Sequence, residues 1–333
     1  MKKIAAFFLS ICLLLLSLSG CAPEKRERTY YGYFDTSVTV IDYSGESESS
    51  FNRKTKIITD LLDCYHKLLD IYNDYEGVVN LKTVNDSAGN PVKVSRELFD
   101  LLSSAQELCN VTEGEMNIAL GAVLRLWHDA REAGNYLPSP ESLSEAAAHT
   151  DIDKIYLDRE SLTVTLLDGE MSLDVGAIGK GYVAGVIAAE LEKKGVSSLI
   201  LNLGGNVTAI GHKPDGSSWR TGVENPGGSY FALFNLADST VSTSGDYERY
   251  FTYGGKNYHH IIDKDTLYPA ESFKSVTVVS DNPALADALS TALFCMPLEA
   301  GQELAVQLRL KVLWVYSDGS AVPSEDGFFE IAK

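Results

Sequence analysis

The hydrophobic pattern of this chain changes period near Asp151, and that change constrains the fold more than any other feature. Before it, apolar residues recur at three and four. Ile57, Ile58, Leu61, Leu62, Tyr65, Leu68 and Leu69 mark one face of a helix expected over residues 52–69. Further helices are expected over 94–109, opened by Ser95 with Glu97 close behind, over 117–133, and around 141–149 after a loop at Pro138 and Pro140. Residues 31–42 instead alternate, which predicts a strand with Phe34, Val38 and Val40 on one face. After Asp151, short β-branched runs separated by Asp-Arg-Glu-Ser and Asp-Gly predict a β-meander over 154–175. A helix over 179–194 closes on Gly195. Strands dominate 198–279, a helix over 283–295 starts from Asp281 or Asn282, and strands around 312–316 and 328–331 end the chain. Strands that cluster apart from helices predict an α+β fold of mostly antiparallel sheets flanked by helices, rather than a doubly wound one.

The N-terminus carries a different kind of signal. Lys2 and Lys3 precede an uncharged, almost wholly apolar run over residues 4–18, which has the length of a signal-peptide core and is short for a membrane span. It ends in Leu18-Ser19-Gly20-Cys21, which resembles a bacterial lipobox. Residues 1–20 are therefore expected to be a lipoprotein signal, with Cys21 acylated and 21–30 a lipidated tether ahead of one domain over 31–333. Each buried methylene contributes ~0.8 kcal/mol, so a diacylated cysteine holds a membrane where one chain would not. The expected location is the extracytoplasmic face of a bacterial membrane. The alternative is an ordinary secretory signal with a chance cysteine.

The formal charge of −18 argues against nucleic-acid partners, which need a basic surface. It also means that any anionic ligand must be met by a local cation or by backbone N–H groups. Cys64, Cys109 and Cys295 are widely spaced in apolar helical stretches, the pattern of buried thiols rather than of a disulfide framework or a zinc site.

Four segments could carry chemistry. Asp174-Val-Gly-Ala-Ile-Gly-Lys-Gly-Tyr182 places three glycines and a lysine between a strand and a helix start. It is neither a P-loop nor a Rossmann fingerprint, and reads equally as a phosphate cradle or as a tight turn without ligand. Asn202-Leu-Gly-Gly-Asn206 reads in isolation as a hairpin turn. Ser242-Thr-Ser-Gly-Asp-Tyr-Glu248 precedes Tyr258-His-His-Ile-Ile-Asp263; adjacent histidines on a strand point to opposite faces, so at most one faces a site. Asp287 and Thr291 share a face of an apolar helix, and a carboxylate beside a hydroxyl suits Mg²⁺ or Ca²⁺, unless Asp287 instead pairs with a lysine or caps a loop.

In this order the segments resemble the ApbE-type FAD:protein FMN transferases. The resemblance runs through Gly176 to Tyr182, Asn202 to Gly205, Thr243 to Tyr247 with His260 to Asp263, Ser275 to Val278 and Ala286 to Thr291. It implies an ApbE-like, T-fold-like architecture, FAD as substrate and Mg²⁺ at the diphosphate, with Ca²⁺ as the other candidate. It further implies transfer of FMN to a threonine hydroxyl of a partner flavoprotein, with release of AMP. Carried over by position, Phe34, Tyr72, Asn117, Ile118, Ala119, Asp174, Lys180, His260 and Ile261 would contact FAD. Ala177 and Ser290 through their carbonyls, with Asp287 and Thr291, would bind the metal. His260 and Asp246 are the candidate bases, His260 preferred because an unperturbed imidazole titrates near neutral pH. The chain departs from the family pattern at Asp35, where glycine is expected, so the strand start is expected to sit differently against FAD, and at Lys264 and Leu267, where proline and glycine are expected, so that turn is expected to change shape. The competing readings are an FAD pyrophosphatase using the same site with water, and a non-catalytic flavin- or solute-binding lipoprotein.

Overall fold

A computed structural model describes residues 25–226 and 228–332. Its centre is an eight-stranded sheet, antiparallel throughout. From one edge the order is β1 (Arg26–Tyr33), β2 (Thr36–Asp42), β6 (Ser198–Leu203), β7 (Asn206–Gly211), β10 (Ser239–Gly245), β13 (Ser275–Ser280), β14 (Lys311–Val315) and β15 (Ala321–Pro323). Three small sheets surround it: β3 (Pro91–Lys93) with β5 (Thr163–Leu166) and β4 (Ile155–Asp158); β16 (Glu330–Ile331) with β9 (Ser229–Leu236) and β8 (Trp219–Asn225); and the hairpin of β11 (Tyr250–Tyr253) and β12 (Lys256–His259).

The helices are α1 (Glu48–Leu69), α2 (Leu81–Asp86), α3 (Arg96–Val111), α4 (Gly121–Ala133), α5 (Pro140–Ala147), α6 (Gly179–Lys193), α7 (Pro283–Cys295) and α8 (Leu298–Gln307). Helices α1, α6 and α7 bury Ile58, Leu62, Val183, Ile187, Leu289 and Leu293 in one core with Val38, Val40, Leu199, Leu201, Val276 and Val278 of the sheet. The opposite sheet face sends Ile200, Ala209, Val241, Val279 and Leu313 into a second core with Trp219, Val223, Phe231 and Phe234 of the β8–β9 pair. Central strands are thus covered on both faces, which is why β6 reads as the nearly continuous apolar run Ser-Leu-Ile-Leu-Asn-Leu. The expected α+β class of antiparallel sheets with flanking helices is the one observed.

Two of the differences from the sequence reading concern the start of the folded region. The single strand expected over 31–42 is a hairpin: β1 and β2 pair antiparallel around Phe34 and Asp35, which adopt φ 51° and 53°. Alternation continues through a two-residue turn, so a period of two does not betray the reversal. Positive φ at both turn positions is the type I′ geometry, which usually takes Asn-Gly. Asp35 therefore takes the left-handed conformation that glycine favours, and the turn forms without it. The folded region also begins before Tyr31. Residues 26–30, expected within the tether, belong to β1, where Arg28 pairs with Glu48 at 3.1 Å and lies over the Phe51 ring at 5.0 Å. Their polar character is that of an edge strand. The expected signal, Cys21 and tether residues 22–24 lie outside the described residues. Among the described residues, no helix is long and apolar enough to cross a membrane.

Candidate active site

The glycine loop and α7 meet at one close crossing. A Cβ on Gly181 would lie 2.3 Å from the Pro283 carbonyl oxygen and 2.4 Å from the Asp287 Cβ. Only glycine permits that approach, which brings the Gly181 N–H to donate to Asp287 Oδ2 at 2.7 Å. None of Gly176, Gly179 and Gly181 has positive φ. At Gly181 the missing side chain therefore serves helix-on-helix contact rather than a left-handed turn. Gly195, by contrast, sits at φ 80° just beyond α6, and its N–H caps the Glu192 carbonyl at 2.8 Å.

Asp287 is buried at 4% exposure on α7, a helix capped by Asn282, whose Oδ1 accepts from the Leu285 N–H. Strand β10 faces it with hydroxyls. Ser242 Oγ donates to Asn206 Oδ1 and lies 3.3 Å from Asp287 Oδ1. Ser244 Oγ is 2.9 Å from Ser290 Oγ and 3.2 Å from Thr291 Oγ1. No cationic side chain pairs with Asp287 among the described residues. A buried carboxylate without a cation is costly, so the donor set favours a bound positive charge. No group of three or more His, Cys, Asp or Glu side chains among the described residues could hold a metal. One carboxylate and the Thr291 hydroxyl, one turn further along α7, instead fit a hard cation that keeps waters and takes further oxygens from a bound phosphate, as Mg²⁺ does. The residues present fit the group.

A second cluster lies beside the first. Asp174 accepts from the Gly176 N–H at 2.7 Å, and its own N–H donates to the Ile118 carbonyl at 2.8 Å. Burial pushes its carboxyl above the usual range, while His128, Arg249 and Lys180 pull the other way. Burial, then Arg249 and Lys180, pull the His260 imidazole down to about 3. Its buried Nδ1 has no partner among the described residues. Tyr72 packs its ring against His128 with centroids 5.0 Å apart, and burial pushes its hydroxyl up to about 12. Among the described residues, Lys180 Nζ reaches only the Gly176 carbonyl, at 3.5 Å. Arg249 Nη2 donates to the Phe34 carbonyl at 3.3 Å, tying the β1–β2 turn to the start of β11. Phe34 also packs edge-on to His66 at 5.7 Å.

The remaining expected residues serve the frame. The side chain of Asn117 bridges Thr150 O at 2.9 Å and Ala119 N at 2.8 Å. Ile118, Ala119 and Ile261 are core residues, which leaves their backbone for any ligand contact. Ala177 lies in the loop just before α6 and packs against the same core. The two adjacent histidines face different surroundings. His259 Nε2 donates to the Ala270 carbonyl at 2.8 Å and its ring meets Phe294, whereas His260 belongs to the cationic cluster. The two candidate bases are not joined. Asp246 pairs with Lys274 at 3.7 Å, and no contact links it to His260. The preference for His260 on its ordinary pKa needs correction, since burial and two cations have moved it far from neutral.

Leu267 adopts φ 61°, the conformation glycine favours, held by Asp263 Oδ1 accepting from Asp265 and Thr266 and by Trp127 Nε1 donating to the Leu267 carbonyl at 2.8 Å. Sequence reasoning missed Arg249, His128, Ser242, Ser244 and Asn206 as site residues. Arg249 carried a signal: it is a basic residue two positions after the Thr-Ser-Gly-Asp-Tyr motif, behind Glu248, in an acidic chain. The Asn202–Asn206 hairpin carried another. Gly204, at φ 56°, packs so close to Thr36 that a Cβ would meet its Oγ1 at 2.2 Å, which sets Asn206 at the start of β7.

Comparison with known proteins agrees with this arrangement. The chain is 28% identical over 342 residues to a protein named FAD:protein FMN transferase from Haemophilus influenzae, covering 99% of this chain and 98% of the relative. It is 33% identical over 249 residues to one of the same name from Klebsiella pneumoniae, covering 73% and 76%. The crystal structure of the ApbE protein from Thermotoga maritima superposes with a TM-score of 0.80 at 28% identity, covering 91% of this chain and 97% of that one. The profile of the ApbE family matches residues 34–314, across both clusters described above, and the chain belongs to that family.

Proposed function

We propose that this protein is a Mg²⁺-dependent FAD:protein FMN transferase that moves FMN from FAD to a threonine of a partner flavoprotein and releases AMP. The observation that carries this reading is a pairing of opposites at the Gly181 crossing. Asp287 is a buried carboxylate lacking a cation, while Lys180, next to Gly181, and Arg249, whose charge also acts on Asp174 and His260, form no ion pair among the described residues. A metal-bound diphosphate is complementary to both. The names of the relatives supply the flavin and the acceptor protein.

Asp287, Thr291 and the carbonyls of Ala177 and Ser290 would hold the metal, which when bound supplies charge neutralisation on the diphosphate and the departing AMP. Lys180 and Arg249 orient the diphosphate. Tyr72, Phe34, Asp174 and the 117–119 segment frame the rest of FAD. The threonine oxygen attacks the phosphorus on the FMN side, and the bond from that phosphorus to the bridging oxygen breaks, so AMP leaves with that oxygen. The threonine proton passes to His260, which is neutral above about pH 3. An anionic ligand beside Arg249 and Lys180 would offset their share of the depression, while burial, its largest cause, would persist. Lipidation at Cys21 would hold the enzyme on the extracytoplasmic membrane face, close to membrane-bound acceptors.

Purified protein given FAD, Mg²⁺ and an acceptor flavoprotein should release AMP and leave the acceptor fluorescent after denaturing electrophoresis. Bound FAD without a covalent label would sink the transferase reading, and AMP release without acceptor would replace it by the pyrophosphatase.

A further inference from the structure

We propose that Arg249 is the residue that grips the flavin-side phosphate, and that it sets this site's preference for phosphorylated flavins over riboflavin. The inference deepens the flavin reading above and rests on it. Its first support is placement. Tyr250 pairs with His259 across the β11–β12 hairpin, so one step outward along that register sets Arg249 beside His260 at the hairpin's open end. His259 turns inward onto Ala270 and Phe294, leaving the opposite side for its neighbours.

The second support is an unspent guanidinium. Of the five N–H donors an arginine carries, one is directed at the Phe34 carbonyl, and Arg249 forms no ion pair among the described residues. Arg249 is exposed, and Arg53, Lys93 and Arg309 likewise form no ion pair among the described residues, so it is the placement beside His260 that singles this cation out. A planar fork with free donors matches phosphate oxygens bidentately, which an ammonium cannot do. Third, its charge acts on both Asp174 and His260, as does that of Lys180 on the glycine loop. Arg249 also touches the turn that carries Phe34, the expected flavin contact.

A purely structural role would be to brace the Phe34 turn, and flavin binding separates the two. Riboflavin has the ring system without phosphate; FMN adds one. Fluorescence titration of the full chain with riboflavin, FMN and FAD, without added metal, should show R249Q weakening FMN and FAD at least tenfold while riboflavin changes less than twofold. R249K should fall between wild type and R249Q for FMN. Equal weakening of riboflavin and FMN would reduce Arg249 to a brace. Unchanged FMN affinity, or a wild type that binds FMN no better than riboflavin, would overturn the proposal. Melting curves identify a misfolded R249Q, in which case the riboflavin-to-FMN ratio of R249K decides in the same sense. The titration needs no acceptor. Phosphate selectivity lost in R249Q without any FMN transfer by wild type would count against the transferase and leave Arg249 as argued.

Discussion

At the residue scale the chemistry depends on groups kept out of their ordinary state by neighbours. Asp287 stays buried with the Gly181 N–H donating to it, the Ser242 hydroxyl nearby and, among the described residues, no cation. Asp287→Ala should remove the only carboxylate of the cation site, lowering turnover by more than about a hundredfold and abolishing Mg²⁺ binding by calorimetry. Riboflavin affinity should survive, and retained Mg²⁺ binding would move the metal elsewhere. His260 yields a pH prediction. Its folded value of about 3 lies below the ordinary imidazole near 6.5, chiefly through burial. Between those values the unfolded chain binds the extra proton. The stability from a neutral His260 is therefore complete above pH 6.5 and is lost progressively as pH falls towards 3. His259, also lowered by burial, adds in the same direction. Urea midpoints at pH 7.5 and 5 should differ less in His260→Gln than in wild type; an identical difference would contradict the buried neutral imidazole.

At the element scale the site is a crossing of two helices seated on one sheet. Helix α6 approaches α7 closely because Gly181 has no Cβ, and that approach sets the Asp287 carboxylate against a backbone N–H. Gly181→Ala should therefore do two things at once. Overpacking typically costs about 1–3 kcal/mol, and a clash against backbone belongs at the upper end. The same displacement should weaken Mg²⁺ binding, which a distant destabilising change would leave alone. Thermal melting and calorimetry on one preparation read both. The hairpins show the same logic of backbone over side chain. Phe34 and Asp35, and likewise Leu267, adopt left-handed conformations without glycine, because flanking strands, an Asp263 turn and the Trp127 indole hold them. Departures from a glycine pattern thus left the turns in place.

At the scale of the whole molecule, an eight-stranded sheet is covered by helices on one face and by a smaller sheet on the other. The charge of −18 sets a field that disfavours anionic ligands, so binding must come from the local cations around Asp174 and His260. The edge strand β1 belongs to this body. A chain beginning at residue 34 would expose β2 as the new edge and lose the Arg28 contacts with Glu48 and Phe51. It should melt lower than a chain beginning at residue 25 by roughly 5 °C or more. Equal melting temperatures would return residues 26–33 to the tether.

What the sequence determined by itself was local. Period and capping placed α1, α3, α6 and α7 within a few residues, because amphipathic faces and caps are written in neighbouring positions. The motif segments named Asp174, Lys180, His260, Asp287 and Thr291 for the same reason. The β1–β2 reversal escaped because alternation runs unbroken through a two-residue turn. Helix α8 escaped because its pattern is short and weak. Only the tertiary structure decided which of these groups meet. It set Gly181 against Asp287 across 106 positions and Arg249 against Phe34 across 215. It turned His259 into the core and His260 into the cationic cluster, and it moved the imidazole away from neutral pH by burial. Contacts at such separation, and the desolvation that comes with them, are properties of packing, which no local window of residues encodes.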